Sequence, residues 1–280
     1  MSLITSAARL DPIPRLIAFD VDGTLLTSSH RLTEATRRAI ARLAPNVTFA
    51  VASARAPSEL IDVLGALPAG GYVIAYQGAW LGEWRDARLT MLEEARLSNK
   101  SARWVAREGL QVGLTLGWFE GAEWWVPSVD WMVDRHVAIT GLRPHIDPAT
   151  ADRTTRPHKV MFMASTSDLE QGLLVLAAKV SSSCATHLSH RDYLEVTVAG
   201  ADKGRALETL AGRLAIPMAA TMAFGDGDND VPLLTRAGHG VAMLSGTEAA
   251  RSAATWITRG NDDEGIPFAL EAVFGLESRA

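Results

Sequence analysis

The chain has 280 residues, 48% of them apolar, and a formal net charge of −5. That composition supports a sizeable core and excludes wholesale disorder, and the length admits one large domain or a core with an inserted one. No long basic run points to a nucleic-acid surface, and no apolar run is long enough to span a bilayer.

The first segment, Met1 to Pro14, lacks the apolar stretch of a signal peptide and reads as an extension before the fold. Leu16-Ile17-Ala18-Phe19 is a continuous apolar run, as expected of a strand buried on both faces. It ends in Asp20-Val21-Asp22-Gly23-Thr24. Thr33 is a helix cap, with Ala35, Ala39 and Leu43 on one face and Pro45 as a stop. Val47 to Ala52 reads as a strand, Ser53-Ala54-Arg55 as its exit, and Pro57 to Leu67 as a helix with proline in its first turn. Tyr72 to Tyr76 is the next strand, ending at Gln77-Gly78. Strands and helices alternating over short links predict a parallel sheet with right-handed crossovers.

From about Gly82 to Ser189 the character changes. Seven of the eight tryptophans fall here or just before. Val160 to Ala164 reads as a strand and Leu169 to Val180 as a helix of a separate α+β unit. The one cysteine, Cys184, has no partner for an internal disulfide, which points to a cytoplasmic location and a buried, inert thiol. Lys203 to Leu214 then restores the first pattern, with Ala206, Leu207, Leu210, Ala211 and Leu214 as an apolar face. Met222-Ala223-Phe224 is a strand ending in Gly225-Asp226, and Val241 to Met243 and Trp256-Ile257 are further strands.

Ligands of open parallel sheets bind beyond the carboxyl ends of the strands. Asp20, Asp22, Ser53, Asp226, Asp228 and Asp230 all fall at such ends, and Lys203 opens a nearby helix. Gathered carboxylates repel one another unless a cation neutralises them, and hard oxygen ligands with room for phosphate and water favour Mg²⁺. A carboxylate is also a known covalent nucleophile. The blander readings are a solvated Asp-x-Asp-Gly turn and a calcium loop at Asp226 to Asp230. Val231 and Ala237 stand where such a loop needs Gly and Glu. His187 and His190 lack a third zinc ligand.

Asp20-Val21-Asp22-Gly23-Thr24-Leu25 resembles motif I of the haloacid dehalogenase-like (HAD) superfamily. Ser53 resembles its motif II hydroxyl and Lys203 its motif III lysine. Gly225-Asp226-Gly227-Asp228-Asn229-Asp230 resembles motif IV. The insert between motifs II and III is similar to the C2-type cap of the Cof-like phosphatases, subfamily IIB, as are Ala237 to Met243 and Glu264-Gly265-Ile266. Three departures stand out: Ser53-Ala54-Arg55 for the usual Thr-Gly-Arg, Gln77 for Asn, and Ser245 for Asn.

The resemblance implies an α/β fold, a Rossmann-like parallel-sheet core (residues 1–81 and 190–280) with an inserted α+β cap (82–189). It implies a Mg²⁺-dependent phosphatase of small phosphate esters, sugar phosphates favoured. Asp20 is then the nucleophile and Asp22 the general acid and base. Ser53, Lys203, Asn229 and Gly23 are the phosphate-binding set. The metal falls to Asp20, Asp22 through its carbonyl, and Asp226, with Asp230 supporting. A phosphosugar mutase and a silent phosphometabolite-binding protein are the competing readings. Neither a nucleic acid nor a membrane is expected as partner. The adjacent Trp124 and Trp125 should point to opposite faces of a strand, so at most one lines a substrate pocket.

Overall fold

A computed structural model describes residues 2–4, 10–68, 70–163, 172, 175–176, 178–180, 182–190 and 193–276. Nine strands form one sheet. In spatial order they are Ser2–Leu3, Trp256–Thr258, His239–Met243, Thr221–Gly225, Leu16–Asp20, Thr48–Ala52, Gly71–Ala75, Trp80–Arg85 and Arg88–Glu94. The first seven pair in parallel; the last two form an antiparallel hairpin on the edge. The central strands are apolar throughout because both faces are covered. Phe19, Phe49, Val51, Val73 and Phe224 pack on one face with Ala39, Ile40, Leu64, Ile266 and Leu270 from flanking helices. Leu16, Ala18, Ala50, Ile74 and Ala223 pack on the other, against Ala206, Leu207, Leu210 and Ala211 of helix Lys203–Arg213.

A second sheet, in the order Cys184–His190, Tyr193–Val198, Lys159–Met163, Thr115–Glu120, Glu123–Val126 and His145–Ile146, is antiparallel except for its last pair. One face carries Leu116, Trp118, Val160, Phe162, Leu194 and Val196, and packs on helix Asn99–Gln111 through Ala102, Val105 and Ala106. The opposite face contributes Phe119, Trp124, Met161 and Met163 to the same apolar cluster as the large sheet. Helix Trp131–Thr140 closes this face. Asp130 caps it, accepting from the backbone N–H groups of Met132 and Val133.

The expected caps and stops are present. Thr33 accepts from the N–H of Thr36 at the head of helix Glu34–Leu43. It also donates to Glu264 Oε2 at 2.8 Å, which gives the late Glu264-Gly265 pair a structural role. Two expectations need correction. The N-terminal segment does not lie wholly before the fold: Ser2–Leu3 pairs with Trp256 and Ile257, and Ile4 is buried. Cys184 is half-buried rather than buried. The expected helix from Leu169 to Val180 lies largely outside the described residues.

Candidate active site

The strand Leu16–Asp20 delivers Asp20 to the carboxyl edge of the large sheet, where it is 6% exposed. The chain then turns through Gly23, at φ +82°. Glycine is required there twice over. The backbone is left-handed, and a Cβ would overlap the carboxylate of Asp226, whose Cγ would lie 2.8 Å away. Thr24 Oγ1 donates to Asp226 Oδ1 at 2.7 Å, tying the two acidic loops together.

Helix Lys203–Arg213 begins with the lysine itself, and that residue has no exposure to solvent. Its Nζ donates to Asp20 Oδ1 and to Asp230 Oδ1, both at 2.6 Å. Burial alone would depress this ammonium; the two carboxylates outweigh it and raise the lysine above its ordinary value. The second oxygen of Asp230 accepts from the backbone N–H groups of Asp226 and Gly227 at 3.0 and 2.9 Å. Asp230 is therefore spent on shaping the loop and orienting Lys203.

Asp20, Asp226 and Asp230 present carboxylate oxygens within 4.8 Å of one another. Burial, followed by the charge of Asp230, raises Asp20 well above the carboxylate range despite Lys203. The same two causes lift Asp226 to about 6. One lysine thus under-compensates the cluster. A hard oxygen set with excess negative charge fits a divalent cation. Asp20 and Asp226 are the side chains free to hold it, because both oxygens of Asp230 are committed.

Asp22 departs from the cluster. Its side chain is 44% exposed, and Arg55 holds both of its oxygens in a fork, with Nε to Oδ2 at 2.8 Å. His30 Nδ1 lies 3.6 Å from Oδ1. Burial opposes the Arg55 charge, but Asp22 outweighs it and raises the guanidinium further. Ser53 is 2% exposed at the end of Thr48–Ala52, its Oγ accepting from the N–H of Arg55 at 3.1 Å. Ser245 is exposed and bonded to Asn261, away from the cavity.

All of these acids, with Ser53 and Asn229, open onto a cavity of ≈ 290 Å³. Its far wall comes from the second sheet and includes residues that sequence reasoning did not single out. Lys159, 2% exposed, donates to Glu195 Oε1 at 2.7 Å and to the Ala54 carbonyl at 3.0 Å. His136 Nε2 sits 3.1 Å from Glu59 Oε1, both buried. Burial would push Glu59 up; His136, Lys159 and the N–H of Ala56 hold it below its ordinary value. The available signal was a charge standing in apolar runs: Lys159 before Val160-Met161-Phe162, and Glu195 between Leu194 and Val196. Trp124 is fully buried against Phe119 and His136, while Trp125 stacks under Arg153 at 3.9 Å. Neither tryptophan lines the cavity.

A profile of the haloacid dehalogenase-like hydrolase family matches residues 17–270, and the chain belongs to that family. It is accordingly a hydrolase. It is 32% identical over 232 residues to the HMP-PP phosphatase of Yersinia pseudotuberculosis serotype O:1b, covering 82% of this chain and 83% of that protein. A haloacid dehalogenase-like hydrolase from Bacteroides thetaiotaomicron superposes with a TM-score of 0.82 at 25% identity, over 92% of this chain and 98% of the other. The HAD subclass IIB sugar phosphatase BT4131 gives 0.76 at 20% identity, over 94% and 100%, a likeness of fold.

Proposed function

We propose that this hydrolase cleaves phosphomonoesters of small metabolites, sugar phosphates foremost, through an aspartyl-phosphate on Asp20. The observation that carries the reading is the convergence of buried Asp20 and half-buried Asp226 at the core end of one cavity, with the buried Lys203 bonded to Asp20 behind them. The 32% identity to a phosphatase over most of both chains supports it.

With Oδ1 of Asp20 bonded to Lys203, Oδ2 is the oxygen left to attack phosphorus. The P–O ester bond breaks as the Asp20–phosphorus bond forms, and Asp22 gives its proton to the departing oxygen. Asp22 then takes a proton from water, whose oxygen attacks the same phosphorus and frees Asp20 and inorganic phosphate. For this Asp22 must leave the fork of Arg55. Lys203, the Ser53 hydroxyl and the Asn229 amide donate to the phosphoryl oxygens, with Gly23 giving close backbone approach. Asp20, the Asp22 carbonyl and Asp226, with Asp230 supporting, would hold Mg²⁺, which would offset the phosphoryl charge.

We assign residues 1–81 and 190–280 to the catalytic core and 82–189 to a cap, with two exceptions at the crossings: strand Tyr193–Val198, which carries Glu195, belongs to the second sheet and is counted with the cap, and the hairpin 80–94 pairs with the large sheet of the core. The cap wall, with Lys159, Glu195 and His136 facing a cavity of ≈ 290 Å³, suits a small polar leaving group. A phosphate-release screen over sugar phosphates, nucleotides and phosphorylated cofactors tests the reading. Release of phosphate with Mg²⁺, fastest from a sugar phosphate and lost with chelator, is expected. A phosphorylated isomer without free phosphate would replace the reading with a mutase.

A further inference from the structure

Gln77 stands where three parts of the molecule meet. It follows strand Gly71–Ala75, and it and Tyr76 both lie in the left-handed region, at φ 59° and 51°. Two consecutive residues with side chains seldom hold that conformation unless the surroundings enforce it, and such positions cluster at functional sites. Here both backbone N–H groups are used on the loop that carries Ser53. Tyr76 donates to the Arg55 carbonyl and Gln77 to the Ser53 carbonyl, each at 3.1 Å.

The side chain of Gln77, 1% exposed, spans from cap to core. Its Nε2 donates to Glu195 Oε2 at 3.1 Å, and its Oε1 accepts from Asn229 Nδ2 at 3.3 Å. The amide has one consistent orientation. Glu195 offers only acceptors, so the NH₂ must face it and the carbonyl oxygen must face Asn229. Asn229 must then present its own NH₂ to Gln77. Its second N–H is left for the cavity that Asn229 borders. Glu195 is fixed in turn by Lys159, which also holds the Ala54 carbonyl. The circuit therefore runs from the cap strands through one neutral amide to the loop of Asp226 and Asp230.

We infer that Gln77 is a positioning residue that reads the placement of the cap's Glu195 and sets the Asn229 amide so that its free N–H meets a phosphoryl oxygen. The inference rests on the phosphatase reading of the site. A docked cap thereby tightens the phosphate subsite, although no cap side chain need touch the phosphate.

The test is a double-mutant cycle with Gln77→Met and Asn229→Ala, read as KM and kcat on para-nitrophenyl phosphate and as the Kd of inorganic phosphate with Mg²⁺. Each single variant should raise KM and Kd by about tenfold, the scale of one hydrogen bond to a charged group, with kcat changed far less. The double variant should be no worse than Asn229→Ala alone. Gln77→Asn is the second arm, and it serves where the methionine variant does not fold. Asparagine suits the left-handed backbone better than glutamine but is one methylene shorter. It should keep or raise Tm while still weakening phosphate binding. A role confined to holding the turn would leave KM and Kd at wild-type values in Gln77→Asn, and that outcome overturns the inference. So do effects of Gln77→Met and Asn229→Ala that multiply. Protein that binds phosphate but turns over no ester would overturn the phosphatase reading, while the Kd cycle still decides the role of Gln77. Protein that does not bind phosphate at all overturns both.

Discussion

At the scale of single residues, the site is set by how few atoms each position can tolerate. Gly23→Ala places a methyl group into the Asp226 carboxylate on a left-handed backbone. It should lose about 1–3 kcal/mol of stability and most Mg²⁺ affinity, measured by urea unfolding and metal titration. The two motif I acids should separate cleanly. Asp20→Asn removes the attacking oxygen and should abolish turnover. Asp22→Asn keeps the site intact and should slow kcat by about 10²–10⁴-fold, least with an aryl phosphate whose leaving group needs no proton. Equal damage from both, on every substrate, would contradict the division of roles. Most of these residues were legible in the sequence because each sits in a short motif at a strand end. Lys159, Glu195, His136 and Glu59 were not singled out, and Arg55 was read only as the end of Ser53-Ala54-Arg55, with no role of its own. A charge in an apolar run marks Lys159 and Glu195 as unusual, but their partners lie far along the chain, as in the 105-residue separation of Lys159 and Ala54, and no local pattern names those partners.

At the scale of elements, the first turn of helix Lys203–Arg213 is an electrostatic keystone between strand Leu16–Asp20 and the loop of Asp226 to Asp230. Lys203→Met would leave Asp20 and Asp230 buried without their shared cation. The expected cost is about 3–5 kcal/mol at pH 7.5 in metal-free buffer. Because Asp20 already binds its proton more tightly than an ordinary carboxyl, the deficit should shrink at pH 5, where protonation removes the repulsion. Urea unfolding at the two pH values measures this; a deficit independent of pH would contradict it. The elements themselves were readable because strands buried on both faces give continuous apolar runs and helices carry caps such as Thr33. The pairing of hairpin 80–94 onto the large sheet was not, since alternation in a strand names its faces but not its neighbours. The tryptophans mark the limit of such reading. Alternation correctly separated Trp124 from Trp125, yet the cavity wall is formed instead by Met161, Tyr193 and the charged pairs.

At the scale of the whole molecule, two sheets close on one cavity, and charge balance across it ties stability to pH and metal. Asp226 is held at about 6 against an ordinary 3.8, so the folded chain binds this proton more tightly than the unfolded one. The resulting stability is full below about pH 4 and is lost as pH rises through 6. Mg²⁺, which needs the deprotonated carboxylates, should act oppositely. Its effect on Tm should be small at pH 5 and large at pH 7.5. A metal shift of equal size at both pH values would count against Asp226 as a ligand. No described helix is long and apolar enough to cross a membrane. The central claim is the covalent role of Asp20, and one measurement reaches it directly. The Asp22→Asn variant, which should accumulate the intermediate, is mixed with substrate and Mg²⁺, quenched, reduced with borohydride and mapped by mass spectrometry. An acyl phosphate on Asp20 is reduced to homoserine, so homoserine at position 20, only after exposure to substrate, is the predicted result. Unmodified Asp20 in a variant that still turns over substrate, or homoserine at another carboxylate, would contradict the account.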